Sequence, residues 1–304
     1  MIKGYALAEG KPVEAEGGQC RVWVYADPTP EEKAAIISTY GIDEHTLSSA
    51  LDPDEPARVE FEQDHLAVIF KRPKNYSAKD HFLFKVSSTG LFLFKDKLVV
   101  VLSEEIPLFS GKLFRKSADL NELFLKLIYS SIFHFLEHLR VINMISDELE
   151  GQINISMENK SLLNLFSLEK SLVYYLNAIN SNGTVFEKLR SSGAKIGFST
   201  ECMELLEDLI IENGQCGKQA EIYANILTGL MDARASIVSN NLNLLMKTLT
   251  LITILIMVPT LVVSIFSMNV GIPLQTHPWA FWLILLMASV PVIIITYIIR
   301  KKRI

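Results

Sequence analysis

Hydrophobic and polar positions divide this chain unevenly. Residues 248–266 carry no charge and are mostly aliphatic, which matches the roughly 20 residues a helix needs to cross a bilayer core. A second apolar run, 279–299, follows Pro278 and opens with Trp279 and Trp282 as interfacial aromatics. The first run is not apolar all round. Stepping back from Thr260 by three or four gives Met257, Thr253, Thr250, Met246, Asn243, Ser239, Ala235 and Asp232. Such steps stay on one face of a helix. One face therefore carries hydroxyls, thioethers, an amide and finally a carboxylate, and the others carry Leu, Ile and Val. Polar groups at membrane depth normally face a bundle interior or a watery path. A hydroxyl can instead bond back to the carbonyl one turn earlier. The length of the stripe favours a pore or an inter-helix seam.

Upstream the pattern changes. Ser199 or Thr200 caps a helix that meets no proline until Pro259. Unbroken to 266, it would extend on the order of 100 Å at 1.5 Å per residue, too long for a small domain. Pro259 removes one helical donor and predicts a kink or a hydration point. Residues 21–25, 66–71, 82–86, 90–94 and 98–102 read as strands rich in Val, Ile and Phe. The last three predict an antiparallel meander, with 87–89 and 95–97 as turns. Helices are expected over 30–40, capped by Thr29, and over 43–51. Asp119 with Glu122 starts another, which runs to 150, and a further helix spans 158–190. Two long helices with a short joint imply an antiparallel hairpin.

The reading is an α+β membrane protein. Its parts are an N-terminal cytoplasmic α/β domain (1–116), a helical hairpin (117–195), a stalk helix (196–247) continuous with the first span (248–267), a loop (268–278), the second span (279–299) and a basic tail (300–304). Residues 1–18 hold no apolar core run of the kind a signal peptide needs. The tail Arg300-Lys301-Lys302-Arg303 places the C-terminus in the cytoplasm by the positive-inside rule, and two spans return the N-terminus to the same side.

Composition narrows the function. A net charge of −5 is not basic enough for nucleic acid. Three scattered cysteines, Cys20, Cys202 and Cys216, give neither a disulfide framework nor a zinc site. His134-Phe135-Leu136-Glu137-His138 matches a zinc-peptidase pattern without an identifiable third ligand, and reads as a helix surface or seam. Glu201, Glu204, Asp208 and Glu212 share a face near the start of the long helix, and read first as a solvated acidic face. No enzyme activity and no required cofactor are expected.

The end of the first span carries a family resemblance. Pro259-Thr260 followed by Phe266-Ser267-Met268-Asn269 resembles the CorA-type divalent-cation channels, whose first membrane helix carries Pro-Thr and ends in Tyr-Gly-Met-Asn. Thr260, Met257, Leu249, Met246, Asn243 and Asp232 fall where that family places pore-lining residues. The resemblance implies a homopentamer with the first span on its axis, moving Mg2+ or a similar divalent ion such as Co2+ or Ni2+. Pore and selectivity residues are then Asn269, Met268, Ser267, Thr260, Met257, Thr253, Leu249, Met246, Asn243 and Asp232. Three departures stand out in the membrane part. Ser267 replaces the motif's Gly, and Phe266 its Tyr. The loop after the motif has no acid, with His277 as its one titratable side chain. In the soluble part, Arg58-Val59-Glu60-Phe61 also resembles the family, but its upstream acid pair reads Ser48-Ser49 here. Asp52, Asp54 and Glu55 lie nearby and read as a solvated acidic turn. Asp208 coincides with a family position for a regulatory cation, so that regulation is expected to be weakened. Two other readings remain open. One is a proton-coupled transporter of zinc or another transition metal on the same scaffold, hinted at by His277. The other is a non-conducting, membrane-anchored regulatory relative.

Overall fold

The computed structural model describes residues 1–15, 17, 19–77, 81–117, 119–153, 159–271 and 277–302. Residue 158 of the expected helix 158–190, residues 272–276 of the expected loop and residues 303–304 of the basic tail lie outside them. The chain forms two compact units, Met1–Met231 and Asp232–Ile304.

In the first unit, one mixed sheet of seven strands is flanked by helices. The strands are β1 (Ile2–Ala8), β2 (Lys11–Glu14), β3 (Val22–Ala26), β4 (Arg58–Phe61), β5 (His65–Pro73), β6 (Val86–Phe94) and β7 (Leu98–Leu102). Their order is β2-β1-β3-β7-β6-β5-β4. Only β3 and β7 run parallel; every other neighbouring pair is antiparallel. Side chains alternate between the two faces, as the pleat requires. Val68, Phe70, Leu91, Val100 and Leu102 join one core with the helices α3 (Leu120–Ile153), α4 (Asn159–Ser191) and the start of α6 (Thr200–Phe266). Ala67, Ile69, Phe92, Val99 and Val101 join the other, with α1 (Pro30–Tyr40) and α2 (Glu44–Ser49). A short helix, α5 (Gly193–Ile196), and the last helix, α7 (Ala280–Lys302), complete the elements.

Local chemistry sets several of these boundaries. Thr29 and Glu32 form a reciprocal capping box at α1. Gly41 ends that helix in the left-handed region that glycine adopts without strain. Asp43 caps α2 by accepting from the Thr46 N–H. Asp119 likewise accepts from Glu122 at the start of α3.

The structure corrects three expectations. The runs 82–86 and 90–94 are not two strands: β6 is one strand through Ser87, Ser88 and Thr89, which had read as a turn. These polar residues are buried on the strand, and Ser88 is held there by Lys71 Nζ at 2.8 Å and by the Asp52 carbonyl. α3 runs past Gly151 to Ile153 rather than stopping before it. Strands β1, β2 and β4 flank the expected set, and β2 and β4 have four residues each.

One contact joins sheet and helix with unusual economy. β4 ends opposite Ile69, so the β5 backbone beyond it has no strand on that side. Asn182 of α4, fully buried, takes the vacant place. Its Oδ1 accepts from the Lys71 N–H at 2.7 Å, and its Nδ2 donates to the Lys71 carbonyl at 2.8 Å. Ser171 and Ser181 extend the same service, accepting from the N–H groups of Phe84 and Ala57 at 2.8 Å each. Asn182→Leu would strand a buried donor and a buried acceptor together. We expect a loss of about 2–5 kcal/mol of stability, read as a lower midpoint in denaturant unfolding of the first unit, while Asn182→Gln recovers part of it.

Candidate functional site: the polar stripe of the first membrane helix

α6 is a single helix of 67 residues, and it continues through Pro259. Among the described residues, α6, through its last part, and α7 are the two helices long and apolar enough to cross a membrane. Which face of each is covered decides what the polar stripe can do.

Within the second unit, Leu251, Leu255, Val258, Pro259, Val262 and Phe266 are half-buried, and the rest of α6 from 242 to 265 is exposed. Their spacing puts them on one stripe. On α7 the covered positions are Ala280, Ile284, Ala288, Pro291, Val292 and Ile295, together with Thr296. The two series have the spacing that an antiparallel helix pair would give. Pro259 sits on the flank of this covered stripe. The donor it lacks therefore creates no hydration point on the polar face.

The polar stripe lies elsewhere. At about 100° per residue, Asn243, Met246, Leu249, Thr250, Thr253, Met257 and Thr260 cluster about half a turn round the helix from the covered stripe. All of them are exposed. Ser264, one step forward from Thr260, lies on the same face. It was overlooked because the stripe was traced only backwards from Thr260; the same period read forwards finds it. Asp232 is exposed as well, and its carbonyl accepts from Ser236 Oγ at 3.0 Å.

The hydroxyls on this face are not idle. Thr250 Oγ1 donates to the Met246 carbonyl at 2.8 Å, Thr253 Oγ1 to Leu249 at 2.9 Å and Thr260 Oγ1 to Ile256 at 2.7 Å. The back-bonding that sequence reading weighed against a pore is present, and it does not compete with one. Each hydroxyl spends its single hydrogen on the helix and keeps its oxygen lone pairs. The stripe is thereby turned into a row of acceptors. Ser267 Oγ does the same at the helix end, donating to Ser264 O at 3.0 Å. Beyond it, Met268 and Asn269 leave the helix and are exposed.

Several other candidates sit apart from this face. Asp208 is exposed on α6 in the first unit. The slot that carries acids in the resembling family is filled differently: Ser49 is buried and its hydroxyl accepts from Arg58 Nη2 at 3.1 Å. Asp52 forms a local turn, accepting from the Asp54 N–H at 2.9 Å, and Glu55 pairs with Arg58. Among the described residues no group of three or more His, Cys, Asp or Glu is placed to hold a metal. His134 and His138 lie one turn apart on α3, with ring centroids 4.4 Å apart. Burial lowers both to about 4, helped at His138 by His134 and at both by Arg72, so both imidazoles are neutral. His138 Nδ1 meets the Tyr175 hydroxyl at 2.5 Å, which makes the pair a helix seam.

Known proteins resemble this chain along most of its length. The family model described as CorA-like Mg2+ transporter protein matches residues 20–301. The chain is 27% identical over 297 residues to the cobalt/magnesium transport protein CorA of Methanocaldococcus jannaschii, covering 92% of this chain and 90% of that one. It is 24% identical over 274 residues to the protein of the same name from Thermotoga maritima, covering 86% and 77%. The complete structure of the CorA magnesium transporter from Methanocaldococcus jannaschii superposes with a TM-score of 0.84 at 23% identity, over 99% of this chain and 96% of that one. The chain belongs to the CorA-like Mg2+ transporter family, a family of transporters and not of enzymes.

Proposed function

We propose that copies of this chain, five by family resemblance, assemble around a shared axis in the cytoplasmic membrane and conduct Mg2+ or a similar divalent ion inward. The observation that carries this is the opposition of two stripes on α6: a half-buried apolar stripe on one side, and the exposed acceptor row on the other. Two spans per chain cannot enclose a polar path alone. Facing lipid, the row would cost free energy; facing its own copies, each residue becomes a ring.

The chemistry of the rings fits a hydrated cation. Mg2+ dehydrates reluctantly and keeps several waters. Those waters donate hydrogen bonds, so a path of acceptors suits them. Thr260, Thr253 and Asn243 supply such acceptors, with Thr250 beside them. Asn269 gives a neutral ring at the outer mouth, with Ser267 and Met268 beside it. Met257, Leu249 and Met246 form an apolar constriction that closes by dewetting. Asp232 marks the cytoplasmic exit. Both termini lie in the cytoplasm, and the membrane potential drives uptake at about 2.3 kcal/mol per charge per 100 mV.

Flux into vesicles tests the assignment. Loss of the acceptor at Asn269→Ala is expected to lower Mg2+ uptake about tenfold, the equivalent of about 1.4 kcal/mol. Thr260→Val, which keeps the shape and removes the oxygen, is expected to lower it in the same direction. Unchanged uptake in both variants contradicts the pore assignment. A pH gradient is expected to leave the rate unchanged; acceleration by an imposed gradient favours the coupled transporter instead.

Regulation by a cation at Asp208 is expected to be weak, because Ser48 and Ser49 stand where an acid partner would be. Asp208→Ala is expected to change the Mg2+ dependence of uptake by no more than about twofold, as suits an exposed carboxylate. A shift of tenfold or more, on the order of 1.4 kcal/mol, would show that a regulatory site survives.

A further inference from the structure

The first unit contains a cavity of about 780 Å3. Its floor is the α3-facing side of the sheet, with Phe70, Leu91 and Val100. α3 forms one wall through Leu127, Ser130 and His134, and the segment 106–114 forms another. The exposed side chains of Phe133 and Glu137 stand at its rim. Well-packed interiors keep few voids larger than a water molecule, and this volume lies in the range of small-molecule sites.

Three buried polar side chains sit on this otherwise apolar sheet face. Arg72, 5% exposed, lines the cavity. Its one ion-pair contact among the described residues is Glu104, at 3.5 Å through Nη2 alone. That carboxylate also accepts from the Asn75 N–H at 3.3 Å. Thr89, 2% exposed, lines the same cavity, and its hydroxyl has no hydrogen-bond partner in the described structure. Ser87, directly across from Arg72 on β6, is equally buried and equally unpartnered. Buried charges are stable when paired and hydrogen-bonded, and a guanidinium offers a planar fork of five donors suited to a carboxylate. One long contact to Glu104 leaves much of that fork to fill.

We infer that this cavity binds a small organic carboxylate with an apolar body, its head on Arg72 and its hydrocarbon on the Phe70–Leu91–Val100 floor. The apolar floor separates this from a plain phosphate site, and the buried cation separates it from a site for a neutral hydrophobe. The Thr89 hydroxyl on the cavity wall can donate to the bound carboxylate, which completes its hydrogen bonding. The inference stands apart from the transport reading and is tested without flux.

The test is calorimetric titration of the full chain in lipid nanodiscs, using 3-phenylpropionate as the probe. Inorganic phosphate and 3-phenylpropanol serve as controls, each lacking one half of the proposed recognition. One molecule per chain is expected to bind the wild type, with both controls at least about tenfold weaker. Arg72→Gln is expected to weaken binding by about tenfold or more. Ser130→Phe leaves the cation in place and fills the space from α3, and is expected to abolish binding while thermal unfolding stays cooperative. The inference is overturned if the wild type binds no probe up to about 10 mM, which corresponds to less than about 3 kcal/mol. It is equally overturned if Arg72→Gln and Ser130→Phe, both folded, bind as the wild type does, or if phosphate or 3-phenylpropanol binds as tightly as the probe.

Discussion

An oxygen that has given its hydrogen to the helix still needs something to accept from. That constraint governs the membrane half of this protein. Thr250, Thr253 and Thr260 each satisfy their own donor locally, so they impose no strain on α6 and ask for no donor-hungry partner. Their remaining lone pairs face away from the stripe the chain covers itself. Hydrocarbon cannot satisfy them, and water carried by a cation can. A helix built this way tolerates an empty, dry path and a filled, wet one, which is what opening and closing require. In the proposed assembly, apolar rings of Met257, Leu249 and Met246, interleaved with the acceptors, would set the cost of wetting.

The departures from the family's motif bear on the mouth and not on this row. Ser267 adds a hydroxyl where glycine has none, yet that hydroxyl is already bonded to the Ser264 carbonyl. It therefore presents an acceptor, in keeping with the helix below it. Residues 270–278 include no carboxylate to concentrate cations, so in the proposed pore capture at the mouth would depend on the neutral amide of Asn269 and on the membrane potential. On the proposed reading these features describe a conductor of modest capture.

Much of this was legible in the sequence, for identifiable reasons. The polar stripe was readable because a period of 3.6 residues places Thr260, Thr253 and Asn243 together whatever else the chain does. The covered stripe was not readable, because Leu251, Val258 and Val262 look the same as their lipid-facing neighbours; only the partner helix distinguishes them. In the soluble unit, Thr29 and Asp119 announced their helices through local capping chemistry. Ser87, Ser88 and Thr89 were misread as a turn because their place on β6 depends on distant groups, Lys71 and the Asp52 carbonyl. Asn182 could not be foreseen at all, since its role exists only once β4 stops short beside β5. The cavity beside Arg72 belongs to the same class: it arises from the meeting of sheet, α3 and the 106–114 segment.

The central claim is that the acceptor stripe faces water shared between copies while the remaining exposed faces meet lipid. Cysteine accessibility measures this most directly. In a chain freed of Cys20, Cys202 and Cys216, single cysteines would be placed at Asn243, Thr250, Thr253 and Thr260, and at Ile252, Val263 and Ile265 for comparison. A membrane-impermeant, charged thiol reagent is expected to modify the first set and to be slowed there by Mg2+, and to leave the second set unmodified. Equal labelling of both sets, or labelling of the second alone, would contradict the account.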